Sequence, residues 1–183
     1  MNQRERLTKL LLNQALISLL KDKSIGQISV KEICSTAGIN RSTFYLHYAS
    51  SFELLEKLEQ EIIHNTSEYL KKIEPSNNDG IRYIMSFLDY IKKNDALFKV
   101  MLLKSNDTML FPQRLINGVL KNIDSYLQLN VPDKLKQYTY AYLVNGSLAI
   151  IQEWIKDGFS VSSLELAQLI FSLANHSLVG FDR

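Results

Sequence analysis

Between positions 41 and 47 the chain sets Arg41, Ser42, Thr43, Tyr45 and His47 around one large apolar residue, Phe44. A guanidinium, two hydroxyls, a phenol and an imidazole this close together suit the recognition of a polyanion. Arg41 can bind guanine O6 and N7 bidentately, a contact worth about 1–3 kcal/mol of discrimination. Ser42 and Thr43 can reach bases or phosphate, and the Thr43 methyl can meet that of thymine. Tyr45 and His47 suit phosphate contacts that fix register without reading sequence, although an aromatic-flanked histidine also serves as a packing residue. Lys31, upstream, would face the adjoining phosphates. Catalysis finds no footing: there is no nucleophile–base pairing, phosphate-binding glycine loop or close acidic pair. His64 and His176 have no companions at ligand spacing. The expectation is a non-enzyme with no metal and no cofactor.

These residues need elements to hold them. Ser29 and Glu32 form a capping box that starts a helix over 29–36, and Gly38 can take the left-handed conformation that ends it. Asn40 can cap a second helix over 41–48. Two short helices joined by a glycine turn are the sequence form of a helix-turn-helix. Val30, Ile33, Cys34, Ala37, Ile39 and Phe44 fall where these helices share a small core with a first helix over 4–21. In that first helix Leu7, Leu11, Ala15 and Leu19 recur at spacing four, flanked by Leu12, Leu16 and Leu20, so a wide apolar face needs cover. The helix starts at Ser29 and Ser50 would also offer N–H groups to phosphate.

Beyond this unit, helical periodicity continues. A second capping box, Ser50 to Glu53, opens a helix to about 72, and Pro75 to Gly80 reads as a linker. Further helices are expected over 80–93, 95–104, 111–129, 132–157 and 162–179, the last opened by a Ser162–Glu165 box. No stretch alternates as a strand. The expected fold is all-α with about nine helices: a three-helix helix-turn-helix domain over 1–50 and a helical regulatory and dimerisation bundle over 51–183. Charge follows the same division. Residues 1–51 hold seven Lys/Arg against three acids, +4, and the remainder fourteen against sixteen, −2. A basic unit on an acidic body suits a polyanion contact at the N-terminal end. One cysteine, Cys34, excludes an intrachain disulfide and fits a reducing compartment. With no signal-like N-terminus and no stretch long enough to span a bilayer, a cytoplasmic, membrane-free protein is expected.

The run from Ser29 to Tyr48, SVKEICSTAGINRSTFYLHY, resembles the DNA-binding signature of the TetR family of transcriptional regulators. Ala37-Gly38-Ile39, Ser42-Thr43-Phe44-Tyr45 and His47 stand in that family's order, and the likeness covers about 6–66. The resemblance implies that Lys31, Arg41, Ser42, Thr43, Tyr45 and His47 lie at a face that binds double-stranded DNA. It also implies a homodimer whose larger C-terminal domain dimerises and often holds a ligand pocket. One departure is Ser51, where the family usually has lysine.

In the C-terminal half, the stretch 138–158 is apolar around most of its circumference, and so is the last helix. A partner chain is the simplest cover. Leu143, Ser147, Ile150, Ile151, Leu166, Ile170 and Leu173 are the expected dimer interface, with Gly146, Ser147 and Ala149 permitting close approach. The run through Tyr142, Gly146, Trp154 and Gly158 further resembles the subgroup that includes dihydroxyacetone-kinase regulator-like proteins. Phe87, Tyr90, Phe98, Phe111, Tyr126, Tyr138 and Trp154 could line a pocket for a small hydrophobic effector, or form core. The expected function is a regulator, most simply a repressor, binding an inverted-repeat operator as a homodimer. The alternative is a helical interaction module or co-regulator controlled by a partner protein. Steep loss of DNA binding between about 50 and 200 mM salt separates the two, since only phosphate contacts release counterions in proportion to their number.

Overall fold

The computed structural model describes residues 3–71, 80–103, 111–123 and 131–176, with the side chains of 120–123 left aside. Every regular element among them is helical: α1 Gln3–Leu20, α2 Val30–Ala37, α3 Arg41–Tyr45, α4 Ser51–Lys71, α5 Gly80–Lys93, α6 Asp95–Leu103, α7 Phe111–Ile123, α8 Asp133–Lys156 and α9 Ser163–His176. A short 3₁₀ turn, Ile25–Gln27, joins α1 to α2. Expected helical residues 72, 104, 124–129 and 177–179 lie outside the described residues, as do residues 75–79 of the expected linker. None of the described helices is long and apolar enough to cross a membrane, and no cluster of metal-ligating side chains occurs among the described residues.

The chain divides into two compact units, and the division falls inside α4, between Ile62 and Ile63. In the first unit α1 buries Thr8, Leu12, Ala15, Leu16 and Leu20. Leu7 and Leu10 stay 55% and 53% exposed. The buried stripe is therefore one residue out of step with the spacing-four series that begins at Leu7. With leucines at 7, 10, 11, 12, 16, 19 and 20, sequence periodicity cannot choose between adjacent stripes. α2 supplies Ile33 and Cys34, and α3 supplies Phe44, to the same core. The first half of α4 adds Leu54, Leu55, Leu58 and Ile62.

In the second unit the core is Phe87, Leu88, Ile91, Phe98, Met101, Leu102, Phe111, Leu115, Trp154, Ile155 and Ala167. Trp154 anchors the turn between α8 and α9. Its Nε1 donates to the Val161 carbonyl at 2.9 Å, and its ring meets Phe159 edge-on at 4.7 Å. Gly158 and Phe159 both take positive φ, +75° and +66°, so the chain leaves α8 through two left-handed residues. α9 then begins as its capping box requires: Ser162 Oγ accepts the Glu165 N–H at 3.2 Å, and the Glu165 carboxylate accepts the Ser162 N–H at 2.9 Å.

α5 and α9 pack closely at Gly80, where an added Cβ would lie 2.4 Å from the Phe171 ring. Gly80→Ala should destabilise the fold by about 1–3 kcal/mol through overpacking. Gly118→Ala, with open space around the new methyl, should be neutral or slightly stabilising in the same thermal denaturation series.

Candidate nucleic-acid interface

The face carrying the polar residues is built by α2, the turn at Gly38 and α3. Ser29 Oγ accepts the Glu32 N–H at 3.2 Å, while the Glu32 carboxylate accepts the Ser29 N–H at 2.9 Å. Lys23 Nζ holds the other carboxylate oxygen at 2.5 Å. Gly38 ends α2 in the left-handed region, φ +66°, and its N–H donates back to Cys34 and Ser35 carbonyls. Asn40 then caps α3, its Oδ1 accepting the Ser42 N–H at 3.2 Å. Each step follows from a residue visible in the sequence.

α3 is shorter than its pattern suggests. It ends at Tyr45 rather than continuing to Tyr48, and Leu46 forms its C-cap. The His47 and Tyr48 N–H groups both close on the Phe44 carbonyl, at 2.9 and 3.0 Å. Tyr48 is buried in the core at 6% exposure. Phe44, fully buried, meets the rings of Tyr45 edge-on at 5.6 Å and of Tyr48 at 5.7 Å.

Lys31, Arg41, Ser42 and Tyr45 are exposed, and Thr43 and His47 are half-buried. His47 packs on Tyr48 with ring centroids 6.2 Å apart, so it combines a packing contact with an open edge. The N-terminal turns of α1 reach this region too. Glu5 and Lys9 pair at 2.8 Å, and the Lys9 ammonium holds the Glu5 carboxyl below its usual range, with His47 lowering it further. Burial raises the Tyr48 phenol and the Cys34 thiol, which leaves Cys34 a neutral core residue at ordinary pH.

A side-chain carboxylate stands at each of the two helix starts: Glu32 accepts the Ser29 N–H, and Glu53 accepts the Ala49 N–H at 2.7 Å. The second box reaches back one residue further than its sequence form, while Ser50 Oγ still accepts the Glu53 N–H at 3.2 Å. Ser51 is 7% exposed, so its hydroxyl is withdrawn from the surface. Leu46, absent from the expected set, is the most exposed large apolar side chain among the described residues at 80%. Its position between Tyr45 and His47 was the available signal.

In the second unit the expected pocket residues scatter. Phe87, Phe98, Phe111 and Trp154 are at most 2% exposed in tight packing, and Tyr90 lies between Tyr69 and Phe98 at 4.9 and 5.9 Å. Tyr138 is on the surface, 65% exposed, and Tyr126 lies outside the described residues. The expected interface divides similarly. Leu143, Ile151, Leu166 and Ile170 are buried by their own chain, whereas Ser147 and Ile150 are half-buried and Leu173 is 45% exposed. A shallow cleft between α8 and α9 is lined by Tyr142, Gly146, Ser147, Ile150, Ile170 and Leu173 among others. Tyr142 in this lining and Leu169 on α9, both outside the expected set, are 60% and 47% exposed.

Residues 81–176, more than half of the chain, match the family described as transcriptional regulator C-terminal region, TetR_C_8. A curated relative from Bacillus subtilis (strain 168), an uncharacterized HTH-type transcriptional regulator YxbF, is 23% identical over 171 residues, covering 88% of this chain and 43% of its own. The chain thus spans less than half the length of that relative. Among solved structures, a TetR transcriptional regulator from Streptococcus agalactiae 2603V superposes with TM-score 0.73 at 19% identity, over 94% of this chain and 96% of its own. The dihydroxyacetone kinase operon activator DhaS superposes with TM-score 0.60 at 21% identity, over 96% and 98%.

The Glu32 carboxyl, bonded first by Lys23 and then by Ser29, is held at about 2 against an ordinary 4.5. A lowered carboxylate stabilises the fold fully above pH 4.5, and the contribution is lost as pH falls towards 2. Glu32→Gln should therefore flatten that part of the acid-unfolding curve of the helix-turn-helix unit, followed by circular dichroism. An unchanged slope between those pH values would count against the assignment.

Proposed function

The chain belongs to the TetR family of transcriptional regulators, and from that premise we propose that it is a homodimeric repressor that binds an inverted-repeat operator through α3. One observation carries the proposal. The buried Phe44 and Tyr48 rings hold α3 from one side, and Arg41, Ser42 and Tyr45 are left exposed on a capped element. In this reading Arg41 reads a base edge, Ser42 and Thr43 touch bases or phosphate, and Lys31, Tyr45 and His47 position the duplex. α1 adds a basic margin through Arg4, Arg6 and Lys9.

The proposed dimer face is the stripe of α8 and α9 around the cleft: the exposed Tyr138, Tyr142, Leu169 and Leu173 with the half-buried Ile150. Ile151 is not part of it, because that side chain is spent on the core of its own chain. A two-fold dimer sets two copies of α3 at successive turns of the duplex, about 34–36 Å apart. Release by a small hydrophobic effector belongs to the proposal under one constraint. A ligand touching Phe98 or Trp154 has to open core packing that is already closed. DhaS is named an operon activator, which makes activation the alternative sign of control.

Selecting bound duplexes from a random pool with the full chain should return an inverted repeat, with binding that weakens steeply between about 50 and 200 mM salt. Arg41→Ala should relax preference at one position per half-site, by roughly tenfold or more. Transcription from a promoter bearing the selected repeat, measured with and without the protein, gives the sign. Leu173→Glu should yield a folded monomer by sedimentation, with operator affinity reduced at least a hundredfold. A wild-type monomer that binds the repeat tightly would refute the dimer.

A further inference from the structure

Leu46 is 80% exposed and stands between Tyr45 and His47. Its backbone, φ −71° and ψ −19°, keeps the helical spiral going at the end of α3. At about 100° per residue, a position two residues from both Phe44 and Tyr48 lies on the opposite side of the spiral from each. Both of those rings are buried, which explains why Leu46 points away from the core. It follows Ser42 by one turn, so the two share a face, with Tyr45 beside them. That face is otherwise polar, and a leucine on it can neither bond phosphate nor hydrogen-bond a base edge. In the major groove the apolar group offered by a base pair is the thymine C5-methyl.

We propose that Leu46 is a specificity-determining residue that reads a thymine in each half-site by packing on its C5-methyl. This rests on the DNA-binding reading above. Thr43, which also carries a methyl, is half-buried and less able to reach. The test uses the full chain and a duplex selected from the random pool, with each thymine replaced singly by deoxyuridine, which removes only the methyl. Wild type and Thr43→Ser should each lose about fourfold in affinity at one position per half-site, the value of one buried methyl-sized group. In Leu46→Ala that sensitivity should vanish, with its affinity for the uracil duplex matching the wild type's. Leu46 is on the surface, so the variant should melt as the wild type does. Indifference of the wild type to every thymine methyl would overturn the inference, as would sensitivity that survives in Leu46→Ala or disappears in Thr43→Ser. A chain that selects no duplex at about 50 mM salt overturns the DNA-binding reading itself; one that selects a methyl-indifferent duplex overturns the role of Leu46 alone.

Discussion

The burial of Phe44 is the constraint on which the N-terminal unit depends. α3 has only five residues, Arg41–Tyr45, too few to be stable alone, since isolated helices need about 12–15 residues to persist in water. What holds it is the insertion of one aromatic ring into the core shared with Ile33, Leu12 and Leu16, with Tyr48 following behind. Fully burying a side chain of this size contributes roughly 1.5–3 kcal/mol. Once that ring is placed, the direction of every other α3 side chain is set by the helical spiral. Arg41, Ser42, Tyr45 and Leu46 face solvent because Phe44 and Tyr48 do not.

Capping supplies the remaining precision. Asn40 fixes where α3 begins, Gly38 fixes the bend before it, and the Ser29–Glu32 pair fixes where α2 begins. The same devices recur at the start of α9, where Ser162 and Glu165 repeat the box. They also carry a consequence for binding. A carboxylate in a capping box uses the positive end of the helix for stability, so Glu32 and Glu53 place negative charge where an incoming phosphate would otherwise settle. In the proposed DNA-binding role, phosphate contact then falls to side chains such as Lys31, Tyr45 and the basic residues of α1. In the second unit the corresponding anchor is Trp154. Its indole bond to Val161 and its edge contact with Phe159 hold the left-handed turn from which α9 departs.

Much of this was legible in the chain itself. Capping boxes, glycine stops and helical periodicity set the order of the helices, because each depends on residues within a few positions of one another. The TetR likeness of the run 29–48 was legible for the same reason: the face it describes is assembled from adjacent residues. The C-terminal surfaces were less so. Among apolar residues on α8, Leu143 and Ile151 turn inward while Tyr142 stays out and Ile150 lies between. Nothing in residue type separates Ile150 from Ile151; only the packing of neighbouring helices does.

The sequence by itself determined the all-α class, the positions of the caps and the polar set offered by α3, since these are local properties of spacing and hydrogen-bonding capacity. Tertiary structure alone decided which stripe of the leucine-rich α1 is buried. It decided that α3 stops at Tyr45, and that Phe44 and Tyr48 are buried while Leu46 is turned outward. It also decided which aromatics of the second unit fill the core and which, like Tyr138 and Tyr142, are left on its surface. Those outcomes depend on contacts between residues far apart in the chain, where several apolar stripes are equally good until a neighbouring helix selects one.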